Sequence, residues 1–244
     1  MGLKPEIIKH LAERAALGLP QVWQAPLAEI RKNTHTHIAL TQPLIDLFAV
    51  EHKFIPGPTA DLPIRIYRPT DQPNLPALIF FHGGGWVINF LDMYEPALRR
   101  ISALANIVIV AVEYQKAPEN PFPTALDDCF ETLNWVMRNA DKLSIDLGAI
   151  GIGGDSAGGT LAAVCAIHAR DTGLPLSLQL LFYPGTAARQ ETESHRTYDN
   201  GFMLDKATVD WFFDHYIDSK DRDDWRFAPM LAERHDGLAP AWIG

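Results

Sequence analysis

The strongest constraint on the fold is a repeated alternation along the middle of the chain. Short apolar runs at residues 76–81, 107–112, 149–153 and 178–182 are separated by stretches whose apolar residues recur at helical spacing. Tyr94, Ala97, Leu98, Ile101 and Ala105 follow Asp92, which is expected to cap their helix. Leu126, Cys129, Phe130, Leu133 and Met137 mark the next helix, and residues 161–167 are apolar nearly all round, as a buried helix should be. A run such as 107–112, apolar throughout, suits a strand covered on both faces. Strands alternating with helices predict an α/β fold with a mainly parallel central sheet and helices on both faces.

The flanks read differently. Pro5 opens a helix with Ile7, Ile8, Leu11 and Ala15 on one face, ending near Gly18, and a weaker helical stretch covers 26–39. Residues 50–55 and 62–67 have period-two character and are split by Gly57-Pro58, which predicts an antiparallel pair. Residues 183–206 show no periodicity, and long irregular segments in compact domains tend to be functional. Behind Asp205, as N-cap, comes a helix with Val209, Phe212, Phe213 and Tyr216 on one stripe. That stripe either faces the core or closes over an apolar pocket. Residues 218–224 read as a solvated face, and Arg99 and Arg100 as surface charges.

Composition narrows the function classes. The 244 residues carry 21 Lys+Arg against 30 Asp+Glu, a net charge of −9, which argues against a phosphate-driven nucleic-acid binder. Two cysteines, Cys129 and Cys165, cannot build a disulfide framework and read as small core hydrophobes. No run approaches the roughly 18 apolar residues of a membrane span, and the N-terminus lacks the apolar centre of a secretory signal. A cytoplasmic protein without a membrane span is expected, and the sequence leaves a homo-oligomer open.

Two motifs carry chemistry. Gly154-Asp155-Ser156-Ala157-Gly158 is a G-x-S-x-G between a strand and a helix, the context in which a serine nucleophile stands on a tight turn. Glycines two residues to either side remove side chains that would clash, and the helix behind the serine offers free amides to a developing oxyanion. After a neighbouring strand comes His82-Gly83-Gly84-Gly85-Trp86. Three glycines in a row are costly to order and make sense where bare amides must point at a ligand. His82 is assigned to shaping that loop rather than to catalysis. Competing readings fail. Gly151-Ile152-Gly153 starts a dinucleotide fingerprint, but Ser156 occupies the third glycine position and Asp171 ends a helix rather than a strand. Asp127 and Asp128 diverge on one helix, and His35 with His37 lacks a third ligand, so no metal site is expected.

With these blocks in hand, the chain resembles the hormone-sensitive-lipase-like branch of the α/β-hydrolases, the microbial carboxylesterases. A third block supports this: Glu113-Tyr114-Gln115-Lys116-Ala117-Pro118-Glu119, departing at Gln115-Lys116 where the family usually has Arg-Leu. The resemblance implies one α/β-hydrolase domain over residues 1–244, with helical cap elements about 1–48 and 183–225. It implies ester hydrolysis of a small molecule without a cofactor. Ser156 is the expected nucleophile, the amides of Gly83, Gly84, Gly85 and Ala157 the oxyanion hole, and His82 and Asp155 loop-shaping residues. The family order is Ser, then acid, then His. Residues 239–244 look like the opening of the first further strand, so the last strands and both partners of Ser156 are expected beyond Gly244. The 244-residue chain alone is therefore expected to turn over ester weakly or not at all. The alternative is a non-catalytic small-molecule-binding protein on the hydrolase scaffold.

Overall fold

The computed structural model describes residues 3–18, 20–36 and 43–244. Helices α1 (Pro5–Ala16) and α2 (Leu27–Thr36) precede strands β1 (Ala49–Ile55), β2 (Leu62–Arg68) and β3 (Leu75–Phe81). Then α3 (Leu91–Ala105), β4 (Val108–Val112), α4 (Thr124–Arg138), β5 (Ile145–Asp155), α5 (Ala157–Thr172) and β6 (Leu178–Phe182) alternate as expected. The short α6 (Glu193–Thr197), then α7 (Lys206–Tyr216) and β7 (Ala241–Ile243) complete the order. Three of these elements meet an expectation directly: β1 and β2 pair antiparallel, and β7 adds to β6 as a further parallel strand.

All seven strands lie in one sheet, ordered β1-β2-β4-β3-β5-β6-β7. From β4 to β7 every pairing is parallel. The period of two explains the layers. Ala77, Ile79 and Phe81 of β3, with Val108, Val110 and Val112 of β4, join one core with residues of α4 and α5. Their alternates Leu78, Phe80, Ile109 and Ala111 join a second core with Leu91 and Leu98 of α3. Cys129 and Cys165 are fully buried, as small core hydrophobes should be.

The order also fixes where a site can form. The chain leaves β3 toward β4 on one side and leaves β5 toward β6 on the other, although β3 and β5 are neighbours. The two connections diverge and open a crevice at the carboxyl ends of these strands, the usual ligand position in open α/β sheets.

Several local expectations are corrected. Asp92 does not cap α3. Phe90 holds the cap position, and Glu113, beyond β4, accepts the Leu91 amide at 2.7 Å. Asp92 instead receives Arg65 at 2.6 Å. Arg99 is not a free surface charge but pairs with Glu95 at 2.6 Å and donates to the Ile45 carbonyl at 3.0 Å. No residue of α1 is buried; Leu11 and Ala15 border a cavity together with Gly201 and Met203. Asp205 does stand at the N-cap of α7, but its carboxylate accepts from the Gly201 amide at 2.7 Å rather than from the helix. The second helix is described as far as Thr36, and residues 37–39 of the expected stretch lie outside the described residues. His35 stacks on Phe90 with ring centroids 3.9 Å apart.

Asp128 supplies a test of the core. Its buried carboxylate accepts only from Gln115, at 2.8 Å from the backbone amide and 3.2 Å from the side chain, with no cation among its described partners. Burial first, and then the neighbouring Asp127, push its pKa up. The folded state therefore holds the proton at pH values where the unfolded chain has lost it. Stability from neutral Asp128 is full below the ordinary carboxylate pKa of about 4 and is lost as pH rises through the elevated folded value. Asp128→Asn should accordingly gain stability relative to the parent as pH increases through that window. Urea titrations at a series of pH values read this difference, and a difference constant with pH would refute it.

Candidate active site

Ser156 sits between the end of β5 and the start of α5 with φ 51° and ψ −120°, a conformation that strains a residue with a side chain. Its amide is tied to the Phe182 carbonyl at 2.9 Å, and its own carbonyl accepts from the Thr160 amide at 3.0 Å. The turn is tight because two glycines allow it. A Cβ on Gly154 would lie 2.4 Å from the Gly158 carbonyl carbon, and one on Gly158 would lie 2.0 Å from the Phe81 carbonyl oxygen. α5 can thus begin directly against the end of β3.

The glycine loop leaves β3 beside this turn. Gly84 and Gly85 have φ of +122° and +59°, and a Cβ on Gly85 would run into the Phe212 ring at 2.3 Å. Among the described residues, the amides of Gly84, Gly85 and Ala157 donate to no protein acceptor. All three residues border, together with Ser156, a cavity of about 810 Å³. Gly83 differs. Its amide donates to Asp155 Oδ1 at 2.8 Å, so of the expected donors Gly83, Gly84, Gly85 and Ala157 the amides of the last three are those without a protein acceptor among the described residues. An N–H spent on a carboxylate is not free for an oxyanion.

Behind these amides lie His82, fully buried, and Asp155, half-buried. Asp155 accepts from Gly83 and, on Oδ2, from the Tyr94 hydroxyl at 2.9 Å. Its pKa is raised by burial, which these two donors oppose. His82 is fully buried; its Nδ1 donates to the Gly83 carbonyl at 2.8 Å and its ring stacks on Tyr114 at 4.4 Å. Burial drives the imidazole pKa down to about 4, so it is neutral at pH 7. A neutral ring with one nitrogen engaged on a backbone carbonyl is suited to holding a loop, not to shuttling protons into the cavity.

Helix α7 roofs the cavity. Val209, Phe212 and Phe213 line it, while Phe212 and Tyr216 are buried in the core, so the aromatic stripe meets both readings of it. Trp86, next to the glycines, stacks on Tyr216 at 4.5 Å. From the N-terminal side, Arg31 of α2 donates to the carbonyls of Val87 at 2.9 Å and Ala117 at 2.7 Å and pairs with Glu119. Nothing in the local pattern around Arg31 announces this, because its acceptors lie more than fifty residues away.

The Ser156 hydroxyl has no hydrogen-bond partner among the described residues. Three histidines are engaged away from the cavity. His168 stacks on Phe130, His215 donates to the Trp211 carbonyl and His235 to that of Pro229. His195 borders the cavity, with Nδ1 2.6 Å from the Thr192 hydroxyl.

Comparison with known proteins then places the chain. The profile of the alpha/beta hydrolase fold matches residues 78–244. The chain belongs to the α/β-hydrolase family. Within it, the similarity is to the hormone-sensitive-lipase-like carboxylesterases. It is 40% identical over 197 residues to carboxylic ester hydrolase LipN of Mycobacterium tuberculosis, covering 78% of this chain and 52% of that protein. It is 32% identical to the arylesterase of Saccharolobus solfataricus, covering 100% of this chain and 80% of that protein. Among solved structures, an ester hydrolase from the Lake Arreo metagenome superposes with a TM-score of 0.93 at 32% identity, over 98% of this chain and 79% of that one. The α/β-hydrolase chain described here spans about half the length of LipN. No helix among its described residues is long and apolar enough to cross a membrane.

The glycine packing can be tested without any substrate. In this α/β-hydrolase, Gly158→Ala would force a methyl group to within 2.0 Å of the Phe81 oxygen, which must move backbone rather than a flexible side chain. A loss of at least about 3 kcal/mol in unfolding free energy is expected. Urea denaturation measures it, and a loss below about 1 kcal/mol would show that the turn is not tightly packed.

Proposed function

We propose that the chain bears the nucleophile of a carboxylic ester hydrolase acting on small-molecule esters. The observation that carries this reading is the convergence of Ser156 with the unspent amides of Gly84, Gly85 and Ala157 on one cavity. The names of its relatives support catalysis over a purely binding role. Residues 1–244 act as one domain, in which elements of 1–48 and 183–225 form a cap that shapes the acyl pocket.

In this reading the Ser156 hydroxyl gives its proton to a general base as Oγ attacks the ester carbonyl carbon and the carbonyl oxygen becomes an oxyanion. The amides of Gly84, Gly85 and Ala157 receive it, each donor contributing about 3 kcal/mol to the transition state. Collapse of that intermediate returns the proton to the departing alcohol and leaves an acyl-serine that water hydrolyses to the acid. Ala157 opens the 16-residue α5, so the positive end of the helix adds to the field at the oxyanion. The strained serine keeps its hydroxyl clear of the sheet. His82 and Asp155 hold the glycine loop and take no proton from the serine.

The general base and its acid are not supplied by any described side chain bonded to Ser156. The 244-residue chain by itself is expected to turn over ester weakly. A protein extended to the length of its carboxylesterase relatives should hydrolyse p-nitrophenyl acetate, and Ser156→Ala should lower its kcat by a factor on the order of 10³ or more. Mass spectrometry after fluorophosphonate treatment should place the adduct on Ser156. Equal turnover in the variant would remove Ser156 from the reaction.

A further inference from the structure

The glycine loop is held by His82 and Asp155 of the two motifs and also by Tyr114, Asn89 and Tyr94, which neither motif contains. Of two successive peptide planes, the first is pinned at both ends and the second at its carbonyl. In the first, between His82 and Gly83, the carbonyl accepts from the Tyr114 hydroxyl at 2.7 Å, and the Gly83 N–H donates to Asp155 at 2.8 Å with the Tyr94 hydroxyl at 3.0 Å. In the second, between Gly83 and Gly84, the carbonyl accepts from His82 Nδ1 at 2.8 Å and from Asn89 Nδ2 at 3.2 Å. A peptide unit is planar and trans, so its C=O and N–H point in opposite directions. Whatever holds the Gly83 carbonyl therefore also aims the Gly84 N–H, one of the amides left free on the cavity.

Asn89 and Tyr94 are placed for this by tertiary structure. Asn89 has φ +70°, which brings its side chain back under the loop, and a Cβ on Gly84 would lie 2.9 Å from its Nδ2. Tyr94 comes from the first turn of α3, its ring tilted against Phe80 at 6.1 Å and His82 at 5.6 Å. Its hydroxyl donates to Asp155 Oδ2 at 2.9 Å, leaving Oδ1 to the Gly83 amide. A run of three glycines has more conformational freedom to lose than any other three residues, so an unpinned loop would scatter its amides.

We propose that Asn89 and Tyr94 are positioning residues of the oxyanion cradle, locking the two peptide planes around Gly83 so that the Gly84 amide points at the site beside Ser156. This rests on the ester-hydrolase reading for its catalytic consequence but not for the geometry itself. The two variants that test it are mild. Asn89→Gly keeps the left-handed backbone at no steric cost and removes only the side-chain donor, and Tyr94→Phe removes only a hydroxyl.

Amide hydrogen exchange followed by NMR reads the lock in the 244-residue chain, without turnover. In the double variant, the Gly83 amide should exchange at least tenfold faster than in the parent, while Val110 in the central strand β4 keeps its protection. Unchanged exchange at Gly83 overturns the proposal whether or not the protein hydrolyses esters. Loss of protection at Val110 as well, meaning that the fold as a whole has loosened, also counts against it and in favour of a purely structural role. In a protein extended to the length of its relatives, each single variant should lower kcat on p-nitrophenyl acetate by about tenfold, with KM within about twofold, as expected for a misaimed transition-state donor. A rise in KM at constant kcat would overturn the positioning role. An inactive parent would count against the ester-hydrolase reading and leave the exchange result to decide the lock.

Discussion

The structure depends on a contact in which no side chain takes part. Where β3 ends and α5 begins, backbone meets backbone at a distance that excludes even a methyl group on Gly154 or Gly158. This lets a helix start one residue after a strand and against its neighbour, with Ser156 as the residue between. The same closeness brings the loop that follows Phe81 alongside the serine turn. The strain at Ser156 is held by the hydrogen bonds of its own peptide groups to Phe182 and Thr160.

Charge in this region is handled by dipoles rather than by ion pairs. Asp155 is partnered by an amide and a phenol, Asp128 by a glutamine and its backbone, and neither by a cation. An isolated buried carboxylate would be costly, and fixed donors reduce that cost without a mobile long side chain. For the glycine loop the consequence is rigidity. Asp155 is the residue next to the serine, so its grip on Gly83 couples the two halves of the site through one side chain. Cationic groups are used farther out, where Arg31 joins the N-terminal helix to the segments after the glycine loop and after β4.

Much of the architecture was legible from residue patterns. Continuous apolar runs announced the buried strands β3 and β4, and the apolar 161–167 segment announced α5. Glycines at fixed offsets announced both loops of the site, because a bare backbone position is visible in the sequence whatever surrounds it. Less legible were the partners of charged and polar groups. Asp92 looked like a helix cap by its position, yet Glu113 serves α3 from the residue after β4. The amphipathic pattern of α1 promised a buried face that the fold does not provide. Gly83 looked equivalent to its two neighbours until Asp155 was seen to occupy its amide.

By itself, then, the sequence determined that the chain alternates strands and helices, that Ser156 stands on a tight turn and that a bare-backbone loop leaves a neighbouring strand. These follow from local chemistry: hydrophobic period and the absence of Cβ atoms act within a few residues. Only the tertiary structure decided which amides stay free, that Tyr94 and Asn89 reach the loop and that α7 roofs the cavity. Hydrogen-bond donors have acceptors in the fold, not in the sequence, and a spent N–H differs from a free one only by what the rest of the chain brings within about 3 Å of it.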